Sequence, residues 1–190
     1  MKKTAIFVVI IAILLTVLTG CFEQEKIEQF QTNMPLDSIA LSLENLPEGY
    51  QKYGEEHITE PYIVEEGKLL AGWKVLEKYE VKFLKEDYQF VLHGIARLPS
   101  VKKAHQAFKK IENAKLEYNF TKMEPPEIGE ECYLGRNSTI LFNHNVELFF
   151  LCFRMYDLVV VVLTSGIPVE ETILYAKVVE NNIKEAMGTD

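Results

Sequence analysis

Two neighbouring runs, Leu148–Phe153 and Leu158–Leu163, are apolar at every position, and Met155-Tyr156-Asp157 between them reads as a turn. A strand with one face in water alternates apolar with polar residues. A strand that is apolar on both faces has to be covered on both. These two runs are therefore expected as central strands of a sheet, and whatever else the chain forms has to be organised around them.

The remaining elements follow from periodicity and punctuation. Tyr79, Val81 and Phe83 alternate with Lys78, Glu80 and Lys82; Lys85-Glu86-Asp87 turns the chain; Tyr88, Phe90 and Leu92 alternate again. This is the pattern of an antiparallel hairpin with one side buried. Pro99 stops the strand, and Ser100 can cap a helix in which Val101, Ala104, Phe108 and Ile111 recur at three- and four-residue steps. A strand is expected over Thr139–Phe142, with Asn143-His144-Asn145 as the turn into the apolar pair. Pro168 then opens a last helix, whose inner face is Ile173, Ala176, Val179, Ile183 and Met187, and Gly188 ends it. Nearer the start, Ile39, Leu41 and Leu43 alternate like a short strand, with a short helix as the other reading. Residues 51–67 are polar and acidic, and read as a surface loop with at most a short strand at Tyr62-Ile63-Val64. The order β-β-α-β-β-β-α predicts an α+β domain, an antiparallel sheet with both amphipathic helices on one face. A larger two- or three-layer sandwich is the alternative.

The first 21 residues supply an address. Lys2 and Lys3 precede an apolar run from Ala5 to Leu18, broken only by Thr16 and closed by Leu18-Thr19-Gly20-Cys21. A basic start, a short apolar stretch and small residues before a cut describe an export signal, and the run is shorter than the roughly 20 residues that span a bilayer. The Leu18-Thr19-Gly20-Cys21 ending resembles the lipobox of prokaryotic lipoproteins. The resemblance implies lipidation of the Cys21 thiol, cleavage before it, and a chain held by its lipid anchor on the outer face of the cytoplasmic membrane. The expected division is a signal peptide over residues 1–20, a Gln- and Glu-rich tether over 21–36, and one extracytoplasmic domain over 37–190. Both charges of the leader are positive, so the net charge of −8 becomes −10 for residues 21–190. Such a balance disfavours binding to phosphate backbones, which needs clustered Lys and Arg, so no nucleic-acid partner is expected. It also leaves membrane attachment to the acyl chains.

The mature chain carries no assembled chemistry in its sequence. Cys132 and Cys152 are candidates for one disulfide outside the cytoplasm, the alternative being two buried thiols in hydrophobic strands. His57, His93, His105 and His144 are scattered and form no zinc-binding spacing, so no metal or cofactor is expected. Glu55-Glu56 and Glu127, Glu130, Glu131 lack the alternating ligands of a calcium loop and read as solvated charge. Ser138 and Ser165 have no nucleophile elbow around them, and there is no glycine-rich phosphate loop. Asn119 and Asn137 head N-x-T sequons. Tyr50, Tyr53, Tyr62 and Trp73 crowd the less regular N-terminal part. They either line a groove for a ligand or seal the open edge and face of the sheet.

Leu46-Pro47-Glu48-Gly49-Tyr50, followed far downstream by Ile128-Gly129-Glu130-Glu131 and then strands and a terminal helix, resembles a class of extracytoplasmic lipoprotein and sensor-type domains, and in layout the PsbP-like fold. That resemblance implies a fold class, with Gly49 and Gly129 as turn positions, and no catalytic machinery. The expected function is a non-enzymatic domain that binds a small ligand or a partner protein of the cell envelope. The alternatives are an accessory subunit of an envelope complex, or an enzyme with a site built from scattered residues.

Overall fold

A computed structural model of the chain describes residues 31–66, 70–86, 88–117, 119–141 and 143–189, leaving aside the side chains of residues 116 and 117. A short helix α1 (Leu36–Ile39) and a single 3-10 turn (Leu43–Asn45) lead into strand β1 (Gln51–Ile58). A two-stranded ribbon, β2 (Tyr62–Ile63) with β3 (Lys74–Val75), precedes the hairpin β4 (Glu77–Glu86) and β5 (Gln89–Arg97). Helix α2 (Val101–Glu117) then leads to β6 (Thr121–Met123), β7 (Glu131–Leu141), β8 (His144–Met155) and β9 (Leu158–Ser165), and helix α3 (Val169–Met187) ends the fold. Seven strands form one antiparallel sheet in the order β1-β4-β5-β9-β8-β7-β6. The class is α+β, as expected. The two apolar runs are the neighbouring strands β8 and β9, in the interior of the sheet.

The arrangement of the helices departs from the expectation. α3 packs on one face, where Tyr175, Ala176, Val179 and Ile183 meet Val81, Phe83, Val91, Ile95, Val160, Val162, Leu151 and Phe153. α2 packs on the other, where Ala104, Ala107, Phe108 and Ile111 meet Tyr133, Phe150, Cys152 and Val159. The molecule is therefore three-layered, with one long helix on each face, because β8 and β9 present apolar side chains both ways and each face needs its own cover. We call these the α3 face and the α2 face.

Three local readings change as well. The alternation at Ile39, Leu41 and Leu43 is not a strand: Ile39 and Leu41 are buried from a helical turn and the bend that follows it, under the α3 face. The polar stretch 51–58 is an eight-residue edge strand paired with β4 from Gln51↔Leu84 to Ile58↔Lys78. β7 begins at Glu131, eight residues before the expected strand. The helix ends agree with the sequence. The Ser100 side chain caps α2 by accepting from the Lys103 amide at 3.2 Å, and Gly188 ends α3 at φ +66°.

The packed domain also starts earlier than residue 37. Thr32 is buried and donates from both its amide and its hydroxyl to the Asp157 carboxylate, at 3.2 and 2.8 Å to Oδ1. Arg97 donates to the Thr32 hydroxyl at 3.1 Å, to the Met34 carbonyl, and to Glu77. Glu77 in turn accepts from the Leu36 amide at 3.4 Å and meets His57 at 2.9 Å. This clamp holds residues 32–36, expected in the tether, against the turn between β8 and β9 and the adjoining ends of β4 and β5.

Candidate functional site

The α2 face is unevenly covered. α2 lies over β7, β8 and β9, which leaves the same face of β5 and β4 open. On β5 the inward phase Val91, His93, Ile95 is buried beneath the α3 face, whereas Leu92, Gly94 and Ala96 on the other side are half-buried. Across this strip the sheet presents two aligned rows. Ile58, Lys78, Ala96 and Val159 form the first, and Glu56, Glu80, Gly94 and Val161 the second. The cavity above them measures about 320 Å³. Ile111 of α2 forms one side, Tyr62, Val64 and Leu70 of the ribbon close another, and Glu56, Lys78 and Glu80 stand on the rim towards the sheet edge.

Two features set its character. Gly94 lies in the floor, and a Cβ built there meets, among the described residues, only the Tyr79 carbonyl oxygen, at 3.9 Å. A glycine inside a strand weakens it, and often marks a place where something approaches the backbone closely. Here nothing in the described chain fills that approach. Second, the rim charges satisfy each other. Lys78 pairs with Glu56 at 2.5 Å and with Glu80 at 3.1 Å, and Lys82 pairs with Glu80 at 3.1 Å. The Lys78 ammonium is held above its ordinary value: burial disfavours its charge, and the two carboxylates outweigh that. The groove is thus aliphatic in its floor, with a charge-balanced edge. A second hollow of about 250 Å³ lies along the β7–β8 hairpin, where the exposed Ser138, Ile140, Asn145 and Glu147 surround the buried Val146.

The residues singled out from the sequence do not converge on this groove, apart from Tyr62 and Glu56. Cys21 lies outside the described residues. Cys132 and Cys152 are free, and the register shows why they do not bridge. Cys132 pairs with Phe153 and Cys152 with Tyr133, so the first thiol points to the α3 face and the second to the α2 face. Adjacent strands put directly opposed residues on one side of the sheet, and a disulfide needs its two Cβ vectors aimed at each other. The disulfide reading is thereby corrected. Burial pushes the Cys132 thiol up to about 12, and that of Cys152 well above its ordinary value, so neither is a ready nucleophile.

The histidines disperse. His57 meets Glu77, and His105 meets Glu131 at 2.7 Å. His144 stacks on Tyr88, and His93 is fully buried. Among the described residues no group of three or more His, Cys, Asp or Glu is placed to hold a metal. Of the clustered carboxylates, Glu55, Glu56, Glu130 and Glu131 are tied into ion pairs. Glu130 and Glu131 both pair with the buried Arg154 at 2.6 Å, and Glu55 accepts from Lys52 and from the Tyr79 hydroxyl. Gly129 makes the first of these networks fit, because a Cβ there would lie 2.6 Å from the Arg154 carbonyl oxygen. Ser165 donates to the Tyr88 carbonyl at 2.6 Å and faces no base. The aromatics divide. Tyr62 lines the groove, Trp73 lies under Lys103 and Lys110 of α2, Tyr50 is sealed into the α3-face core, and Tyr53 is exposed.

No protein-family model matches the chain, and no curated protein matches it by sequence. Among solved structures, the extracellular domain of PknH from Mycobacterium tuberculosis superposes with a TM-score of 0.60. The match covers 78% of this chain and 94% of that domain, at 10% sequence identity. At that identity the likeness is one of fold alone. No helix among the described residues is long and apolar enough to cross a membrane.

Proposed function

We propose that this chain is a lipid-anchored, extracytoplasmic, non-enzymatic domain that binds a small, largely apolar ligand in the groove on the α2 face. The observation that carries the reading is the half-open aliphatic floor on either side of Gly94, in a strand whose opposite side is buried under the α3 face. Ligand sites are concave, mostly apolar and about 300 Å³ or larger, and this groove meets all three conditions. The leader ending in Cys21 supports placement outside the cytoplasm, and so does the likeness in fold to an extracellular domain. The dispersal of histidines, the ion-paired carboxylates and the high-pKa thiols support a role in binding rather than catalysis.

Two measurements test this reading. Protein extracted from host membranes is expected to show an intact mass that begins at Cys21 and carries a diacylglyceryl group; a chain beginning at Met1 would remove the anchor. Residues 22–190 made in an exporting host are expected to carry extra mass under native ionisation that is lost on denaturation. The same bare mass for the parent and for a Gly94→Val chain, after exposure to a host lipid extract, would remove the binding site.

A further inference from the structure

The groove and the tether meet at one end of the molecule, and this suggests what the groove holds. The clamp fixes Thr32 to Asp157 and Arg97, and Arg97 pairs with Glu77 on one side and Leu158 on the other. The next row of the sheet is Lys78, Ala96 and Val159, which is the end row of the groove on the opposite face. The chain thus arrives from its anchor one residue row from the groove. Thr32 lies eleven residues after Cys21, so it stands at most about 40 Å from the lipidated residue, at 3.3–3.6 Å per residue. The clamp consists of several hydrogen bonds and an ion pair, partly buried. It fixes the end of the domain at which the chain enters.

The lining identifies the chemistry. The floor runs from Ala96 to Leu92, four residues or about 13 Å along a strand. An extended alkyl chain advances about 1.25 Å per bond, given a C–C bond near 1.52 Å, so the floor matches about ten bonds. Val159, Val161 and Ile111 offer aliphatic contact, and the charges of Glu56, Lys78 and Glu80 are already paired with one another. A ligand that depends on a charged partner finds its counter-charges engaged, whereas a saturated chain asks for none. Resting on the groove reading above, we infer that the occupant is the alkyl chain of a single-chain lipid taken from the outer leaflet to which the protein is anchored.

The test is a calorimetric titration of residues 22–190, which include all the described, packed residues, with lysophosphatidylcholines of eight, ten, twelve and fourteen carbons below their aggregation concentrations. Burying a methylene strengthens binding about fourfold. Kd is therefore expected to fall about fourfold per methylene up to twelve carbons, with one ligand per chain, and to level off beyond. Dodecanoate is expected to bind within a few-fold of the zwitterion, because chain length and not head-group charge sets the affinity. Gly94→Val puts a β-branched side chain into the floor. It is expected to abolish binding while raising the melting temperature or leaving it unchanged, since valine suits a strand better than glycine. Binding that ignores chain length would overturn the alkyl-chain inference, and so would a ligand recovered from lipid extract that Gly94→Val displaces but that has no alkyl chain. Both of those results leave the groove reading standing. Chain-length-dependent binding unaffected by Gly94→Val would overturn both. If residues 22–30 fill the groove themselves, the series binds only after truncation to residue 31, and the inference falls.

Discussion

His93 offers the most direct test of the packing. It is fully buried on the α3 face of β5, between Val81 and Val162 across the two ladders, and neither ring nitrogen has a hydrogen-bond partner. Burial lowers its pKa to about 4; the Val161 main chain nearby works the other way and is outweighed. The unfolded chain binds a proton near pH 6.5, so acidification favours the unfolded state. Stability is unaffected above that value, is lost as the pH falls from about 6.5 to about 4, and levels off below. Between pH 7.5 and 4.5 the loss from this residue alone comes to about 2–3 kcal/mol. Carboxylates also titrate in this range, so the quantity to measure is the difference between the parent and a His93→Leu chain in urea unfolding at both pH values. The variant is expected to be at least as stable at pH 7.5, because two unpartnered nitrogens have gone. It should also keep a midpoint roughly 1 M higher than the parent at pH 4.5. If the two midpoints fall in parallel, His93 is not held neutral in the core.

Three further outcomes follow from the geometry. Residues 22–190, denatured without reductant, should take up two thiol-blocking groups, and the native protein should react slowly; uptake of none would mean that Cys132 and Cys152 are bridged. Asp157→Ala strips the acceptor from the buried Thr32 amide and hydroxyl. It is expected to cost about 1–3 kcal/mol and to expose the segment around Met34 to protease; an unchanged digestion pattern would contradict the clamp. Gly129→Ala forces a side chain into φ +63°, with its Cβ 2.6 Å from the Arg154 oxygen. A loss of about 2 kcal/mol or more in denaturant unfolding is expected, and a loss under 0.5 kcal/mol would refute the fit.

What the sequence shows of this fold depends on which residues are forced and which follow from pairing. β8 and β9 are readable because burial on both faces leaves no polar position, and the same fact already implies a helix on each side. Placing both helices on one face left those strands with an uncovered side. β1 is hidden because Gln51, Lys52, Glu55 and Glu56 are exposed. An edge strand shows no apolar alternation, and β1 exists by hydrogen bonding to β4. The cysteine geometry depends on parity. Cys132 opposite Phe153, and not Cys152, is a matter of register, and a slip of one residue would send every side chain to the other face. The alternation of Tyr88, Phe90 and Leu92 gives the second strand of the hairpin the wrong phase: the register sets Ile95, His93 and Val91 opposite Tyr79, Val81 and Phe83, which is what buries His93. The groove had almost none. Gly94 reads as a strand weakness until the covering layers are seen to stop short of it.

That shortfall follows from counting the covering elements. Seven strands about 4.8 Å apart make a sheet nearly 30 Å wide, and a helix about 10 Å across shields two or three strands. One helix per face cannot close either side. On the α3 face the deficit is made up by the N-terminal segment, where Leu36, Ile39, Leu41, Leu46 and Tyr50 lie in the same core as α3. On the α2 face the other covering element among the described residues is the β2–β3 ribbon, where Tyr62, Val64 and Leu70 reach the edge of the gap. The residues beneath are nevertheless Leu92, Gly94 and Ala96, and not the charged side chains that β4 carries in the same layer. This half-covered apolar strip of β5 is the part of the described sheet on which the proposed ligand site rests.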